Sequence, residues 1–313
     1  MGRFIANRLL ATIPVMGIVA TIVFLLLRLA PGDPAAILAG DAASPEQIAA
    51  IRARLGLDEP MLVQFGEWIW RLLRGDLGTS IISNQPVTRL ISDRIEPTLA
   101  LATTTIVFAV LVAVPLGVVS AWKQGTWIDR AVMALSVLGF SVPIFVLGYL
   151  WIFGLSMQLR WFPVQGYVGP GEGILPFLSR LVLPTLTLSV IYIALIARIT
   201  RASLLEVLGE DYVRTARAKG VGERTVLTHH ALRNAAVPII SVIGIGIALL
   251  ISGVVITESV FNLPGLGRLT VDAVLARDYP VIQGVILLFS GVYVLINLGV
   301  DLAYTIFDPR IRF

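Results

Sequence analysis

Apolar runs of membrane length recur along the chain and alternate with shorter polar stretches. Leu9 to Leu27 is the first, closed by Arg28. Five more follow: Thr98–Ala121, Val132–Met157, Leu181–Ala197, Val237–Ile256 and Val281–Thr305. A helix needs about 20 predominantly apolar residues to cross hydrocarbon, so the pattern predicts an all-α integral membrane protein with six transmembrane helices. The first run also reads as a signal peptide, because Arg3 and Arg8 precede it. Its apolar core is longer than a signal peptide's usual 7–15 residues, and no small-residue cleavage site follows closely, so it is taken as a retained span. Pro14, Pro115 and Pro143 lie inside three of the spans, where neighbouring helices can re-satisfy the freed carbonyls.

Two polar segments carry patterns of their own. Residues 31–97 contain two helix signals. Ser44-Pro45-Glu46-Gln47 is a capping box with proline at the first helical position; Ile48, Ile51 and Leu55 then share a face, and Gly56 ends the helix. After Asp58-Glu59-Pro60, the residues Leu62, Phe65, Ile69 and Leu72 line one face, with Trp68 and Trp70 beside them and Gly75 as the stop. Such a helix suits a membrane interface. It serves either as a cap over the mouth of the bundle or as a platform for a partner.

The second segment, residues 198–236, is too polar to span and too patterned to be a tether. Asp211 to Lys219 predicts a short helix, Gly220-Val221-Gly222 a break, and Glu223 to Ala235 a second helix. Two short helices around a glycine turn, held between two spans, make a compact knob. A basic knob can rest on anionic headgroups, and its outline is that of a DNA-reading helix-turn-helix. Its tethering between spans and its few basic residues speak against nucleic acid.

Composition sharpens this picture. Of 313 residues 57% are hydrophobic and 14% charged, against about 25% charged in soluble domains, and the mean hydropathy is +0.87. The net charge of +4 is divided unevenly. With both termini placed in the cytoplasm, the inner segments hold 13 basic and 6 acidic residues and the outer ones 10 and 13. This bias follows the positive-inside rule. Seven of the inner basic residues lie between Arg198 and Arg233. Cysteine is absent and the two histidines are adjacent, His229 and His230, so no thiolate, disulfide or obvious metal site is expected. No catalytic residue stands out. A phosphate-cradling Walker A loop needs Gly-Lys-Ser/Thr, and the two lysines, Lys123 and Lys219, follow tryptophan and alanine.

Three further residues are candidates for a pathway or gate. Asp301 lies within the sixth span, where an ionisable residue either pairs structurally or lines a path. Glu258 and Asn262 close the fifth span and either cap a loop or meet a solute. Gly244, Gly246 and Gly253 in the same span allow close helix packing.

The segment Tyr212-Val-Arg-Thr-Ala-Arg-Ala-Lys-Gly220 resembles the cytoplasmic EAA loop of ABC importer permeases, specifically the dipeptide, oligopeptide, glutathione and nickel branch. Other segments resemble the same branch in order: Arg28-Leu-Ala-Pro-Gly-Asp-Pro34, Leu55-Gly-Leu-Asp-Glu-Pro60, Gly75-Asp-Leu-Gly-Thr-Ser80, Arg94-Ile-Glu-Pro-Thr-Leu-Ala-Leu101, Phe261-Asn-Leu-Pro-Gly-Leu-Gly267 and Asp308-Pro-Arg-Ile-Arg-Phe313. The likeness covers nearly the whole chain. Where many ABC permeases carry Glu-Ala-Ala ahead of the glycine, this chain has Arg214-Thr215-Ala216, so only Ala216 and Gly220 carry over and no glutamate role is transferred.

The resemblance implies the first-permease (B-type) subunit of a type I ABC importer in the cell inner membrane, N- and C-termini cytoplasmic. Residues 1–97 would be the first span and an external segment, 98–307 a five-helix permease core including an ATPase-docking loop at 198–236, and 308–313 a cytoplasmic tail. The docking residues would be Tyr212, Arg214, Thr215, Ala216, Arg217, Ala218, Lys219 and Gly220. Partners would be the lipid bilayer, a second homologous permease, two ABC ATPase subunits that bind ATP and Mg, and an external substrate-binding protein. This chain would bind no cofactor, metal or nucleic acid. The cargo would be peptides or peptide-like solutes, with nickel, glutathione or a glycoconjugate as alternatives. A self-sufficient secondary transporter is the rival class; such proteins commonly show internal repeats, and no clear repeat is present.

Overall fold

The computed structural model describes residues 2–29, 35–36, 44–54 and 56–307. The motif end at 30–34, Leu55 and the tail at 308–313 lie outside them. The elements are α1 (Gly2–Leu29), α2 (Pro45–Arg54), α3 (Met61–Leu73), α4 (Val87–Trp122), α5 (Trp127–Ser141), α6 (Ile144–Trp151), α7 (Ile174–Leu208), α8 (Asp211–Ala218), α9 (Ala236–Val260), α10 (Leu266–Leu275) and α11 (Tyr279–Phe307). Among the described residues there is no β-strand. Four helices are long and apolar enough to cross a membrane: α4, α7, α9 and α11. The α5–α6 pair makes a fifth if counted as one span, and the apolar part of α1, Leu10–Leu25, is shorter.

Three sequence expectations are corrected. The third run is not one rod: α5 and the helix from Ile144 to Gln158 meet at 103°. Pro143 is the cause. It has no N–H to give and it disfavours a helical conformation at the preceding residue, and Val142 is extended, at φ −91° and ψ 124°. Beyond α6, residues Ile152–Gln158 wind as a π-helix. The fourth run does not stop at Ala197, because α7 continues to Leu208 and carries Arg198 and Arg201 within it. Interior prolines are also more numerous than read, since Pro97 and Pro184 lie inside α4 and α7.

The chain divides into two compact units. The larger comprises Glu96–Arg268 and the chain from Tyr293 onward. Its core gathers Leu101 and Ala109 of α4, Leu188, Tyr192 and Ile196 of α7, and Leu250 and Val254 of α9. The small residues predicted to allow close packing do so. A Cβ on Gly253 would lie 2.6 Å from Leu188, and one on Gly244 would overlap Val300. The tightest approach joins α4 to α7: a Cβ on Gly117 would meet Thr200 Cβ at 2.6 Å and the Ala197 carbonyl oxygen at 2.7 Å. Backbone cannot yield as a flexible side chain does, so Gly117→Ala should cost about 1–3 kcal/mol. A lowered unfolding midpoint of the purified chain in detergent would show it, with Gly291→Ala, which points into open space, as the unaffected control.

The smaller unit comprises Gly2–Ile95 and Leu269–Val292. The Ser44 capping box forms, Gln47 donating its N–H to Ser44 Oγ at 3.3 Å and accepting from the Ser44 N–H at 3.0 Å. On α3, Phe65 and Trp68 pack on Phe24 of α1, with ring centroids 5.2 and 5.6 Å away. Trp70 stays exposed and carries the Arg74 guanidinium over its face at 4.5 Å. The Gly75–Ser80 motif builds a loop. Asp76 accepts from the Gly78 N–H at 2.8 Å, and Ser80 donates to buried Asp278 at 2.5 Å, which also accepts from the Ile81 N–H at 3.1 Å.

Candidate functional site

The stretch read as a docking knob leaves the end of α7 through Gly209 and Glu210 and enters α8. Val213 and Ala216 on one face of α8 are buried, as are Val226, Leu227 and Ala231 beyond the turn. Leu227, Ala231 and Ala235 pack with Ala121 of α4, Leu204 of α7 and Ile239 of α9, which anchors the knob in the bundle. α8 ends as its sequence requires. Gly220 adopts φ +80°, the Gly220 N–H bonds to the Arg217 carbonyl at 2.9 Å, and the Val221 N–H reaches the Ala216 carbonyl at 3.2 Å. This is a Schellman closure, in which a glycine takes the left-handed position without a Cβ penalty. Across the turn, the Arg217 guanidinium grips Glu223 through two bonds of 2.7 and 3.2 Å.

The second knob helix departs from expectation. Glu223–Thr225 is a single α-turn, and Val226–Leu232 continue as a π-helix before α9 begins. The wider winding turns Val226, Leu227 and Ala231 inward together, leaving His229 exposed and His230 half-buried. No cluster among the described residues could hold a metal ion.

Most of the sequence-selected residues form one outward surface. Tyr212, Arg214, Thr215, Arg217, Ala218, Lys219 and Gly220 are exposed. Ala216 is not; its small side chain serves packing inside the knob. Arg214 pairs with Asp211 at 3.2 Å, a contact open to water and so weak. Burial, together with the Glu210 carboxylate, pushes the Tyr212 phenol up, partly offset by a hydrogen bond with Asn234.

Immediately behind the knob lies a charged cluster that the sequence reading counted only as loop charges. Asp129, in the first turn of α5, is buried, and Arg201 of α7 clasps it through Nε to Oδ1 at 2.5 Å and Nη2 to Oδ2 at 2.7 Å. Ser120 of α4 donates to Oδ1 at 2.5 Å, and the Gly125 N–H donates to Oδ2 at 3.0 Å. No sequence signal links partners 72 residues apart. A surface cavity of about 330 Å³ lies alongside, lined by Trp122, Gln124, Leu205, Leu208, Arg217 and Glu223.

The opposite end of the same unit is organised by Glu258. α4 separates Thr98 from Ser120 by 22 residues, about 33 Å of helix, close to the thickness of the hydrocarbon core. Glu258 is fully buried. It accepts from Thr98 Oγ1 at 2.6 Å and from the Arg268 N–H at 2.9 Å, while Thr98 Oγ1 accepts from the Leu266 N–H at 2.8 Å. A Cβ on Gly265 would occupy the carboxylate's place, and one on Gly267 would lie 2.6 Å from Val255 Cα. The Phe261–Gly267 motif and the Arg94–Leu101 motif are therefore two halves of one joint. Asn262 takes φ +54° in the turn, where Arg268 donates to its side chain. Nearby, Tyr167 donates to Glu96 at 2.8 Å, and burial together with that carboxylate holds its phenol well above the usual range. Asp301 is half-buried on α11.

Comparison with known proteins assigns this architecture. Residues 113–313 match the family described as binding-protein-dependent transport system inner membrane component, and residues 1–102 match its membrane-component N-terminal family. The chain belongs to this family of transporter permeases. It is 56% identical to a probable peptide ABC transporter permease protein of Sinorhizobium fredii, with both chains covered completely. It is 47% identical to a putative peptide transport system permease protein of Brucella abortus and 45% identical to a glutathione transport system permease protein of Salmonella choleraesuis, again with complete coverage of both chains. Among solved structures it resembles a chain of the inward-facing MetNI methionine ABC transporter, at TM-score 0.59 and 20% identity, over 71% of this chain and 97% of that one. That likeness supports a type I importer permease fold.

Proposed function

We propose that this permease subunit admits peptides or small peptide-like solutes. The observation that carries the reading is the set of relatives that match over all 313 residues and are named for peptide or glutathione transport. Glutathione, itself a short peptide, is the specific second reading; nickel or a glycoconjugate is a more distant one. The pathway would form between this chain and a second homologous permease. Solute would arrive on an external binding protein, and two ABC ATPase subunits, holding ATP and Mg, would drive the cycle. On this reading the chain itself is non-catalytic and binds no nucleotide, metal or other cofactor.

The proposed arrangement has six spans, α1 included, with both termini cytoplasmic, the segment to residue 97 chiefly external and 308–313 a cytoplasmic tail. The knob then projects into the cytoplasm within the 198–236 connection. Tyr212, Arg214, Thr215, Arg217, Ala218, Lys219 and Gly220 would meet an ATPase subunit, with Ala216 holding α8 in place from behind. ATPase closure would reach the membrane helices as rigid-body motion. Glu258 and Asn262 would shape the external loop, and Asp301 is the candidate for lining the pathway, as an ionisable side chain in a helix of membrane length.

Proteoliposomes test this directly. Uptake of a labelled tripeptide should require ATP, the ATPase subunits and the binding protein together. Uptake by this chain alone, driven by an ion gradient, would overturn the reading in favour of a secondary transporter. Nickel uptake that a tripeptide does not compete away would overturn the cargo class.

A further inference from the structure

We propose that the Asp129–Arg201 pair is a coupling latch, which makes the end of α7 and the α4–α5 hairpin move as one body when the knob is pushed. The proposal rests on the knob being the docking element. It adds the route by which displacement leaves the knob.

The geometry defines that route. The knob follows α7 through only two residues, Gly209 and Glu210, so displacement acts first on the end of that helix. Arg201 sits two turns back from Leu208, about 10 Å along the axis. Its guanidinium holds Asp129 through two parallel bonds, a geometry that fixes orientation as well as distance. The same carboxylate is gripped by Ser120 of α4 and by the Gly125 N–H in the turn between α4 and α5. One side chain therefore ties three elements together.

Two observations exclude easier routes. Between the knob and the α4–α5 turn lies the cavity bordered by Trp122, Gln124, Arg217 and Glu223, so at this place the knob does not push on the turn through packed side chains. The knob also packs on the helices through the apolar patch of Ala121, Leu204, Leu227, Ala231, Ala235 and Ile239. Small apolar surfaces of this kind permit the sliding that shear motions use. A bidentate ion pair does not slide without breaking. One turn before Ser120, the close approach of Gly117 to Thr200 removes slack between α4 and α7. The pair is thus a positioning device: neither residue belongs to the exposed docking surface.

The test uses the importer assembled with its partner subunits. Losing one charge would strand the other in a buried place, so the informative variant is Asp129→Leu with Arg201→Met. It should insert and retain its ATPase subunits. Labelled tripeptide taken up per ATP hydrolysed should fall about tenfold or more, within the usual scale of an allosteric coupling. Asp129→Glu, which keeps the charge, should recover most of the loss. A staple with no role in transmission would instead lower uptake and hydrolysis together, in proportion to the amount assembled.

A second readout does not depend on cargo. The chain has no cysteine, so spin labels can be placed at Gln124 and Glu206 alone. Their separation should be the same with and without trapped ATP in the wild type, and should change with nucleotide in the double variant. An unchanged uptake ratio together with an unchanged label separation in that variant overturns the latch. If the double variant does not assemble, Ser120→Ala carries the test: a fall of several-fold in the ratio supports the latch, and a wild-type ratio overturns it. Failure of wild-type tripeptide uptake counts against the proposed cargo, while the label separation still decides the latch.

Discussion

Gly220→Arg should leave the chain inserted and folded while ATPase association and uptake collapse. A Cβ at this position meets nothing within 4 Å, so the substitution creates no internal clash. Its intramolecular cost is the left-handed backbone at φ +80°, about 1–2 kcal/mol for an L-residue. Burial of Val213 and Val226 and the Arg217–Glu223 clasp are untouched and keep the knob in shape. A partner docking on this turn, however, meets a long cationic side chain where it met bare backbone. Disrupting the centre of an interface costs about 2 kcal/mol or more, which is roughly a 30-fold loss of affinity. Co-purification of ATPase subunits and transport in proteoliposomes measure it. Gly220→Ala separates the two effects, because it imposes the backbone strain without the bulk and should retain most association. Normal uptake and normal ATPase retention in Gly220→Arg would overturn the docking assignment.

Glu258→Ala should cripple the opposite end of the same unit. The change removes the carboxylate that accepts from the Thr98 hydroxyl and the Arg268 N–H, at about 1.5–3 kcal/mol for each hydrogen bond to a charged group lost. A void beneath Gly265 adds to that cost. The expected result is a lower unfolding midpoint with loss of uptake, while ATPase subunits still co-purify, because the knob is a helix length away. Glu258→Gln, which keeps an acceptor oxygen, should fall between the two. A variant with unchanged midpoint and altered solute affinity would assign Glu258 to the gate and remove it from the loop.

Legibility from sequence differed between these features for physical reasons. Apolar length is a one-dimensional property, so the runs around α4, α7, α9 and α11 were visible, though their ends were not. Arg198 and Arg201 look like the end of a span, yet α7 runs past both to Leu208, with Arg201 paired to Asp129. The bend at Pro143 was visible as a proline and invisible as an angle, since Pro115 lies inside α4 without ending it. The exposed face of the knob was legible from Gly220 and the motif ahead of it. The inward turn of Ala216 was not, because small residues suit an interface and a core equally well. Glu258 reads from sequence as either a loop cap or a solute contact, and its partner Thr98 belongs to another motif 160 positions away. Pairings of that range follow from tertiary packing alone.

The same separation bears on how the protein is made. At a synthesis rate of about 5–20 residues per second, Thr98 leaves the ribosome roughly 8–32 seconds before Glu258 does. Throughout that interval the nascent bundle holds a hydroxyl whose eventual acceptor has not been translated. A threonine in a helix can bond a carbonyl one turn back in the meantime. The joint at this rim therefore closes late in biogenesis, after α4 and α7 have both emerged. Until α9 and the first turn of α10 arrive, that end of the subunit is the part that insertion machinery and quality-control proteases meet unfinished.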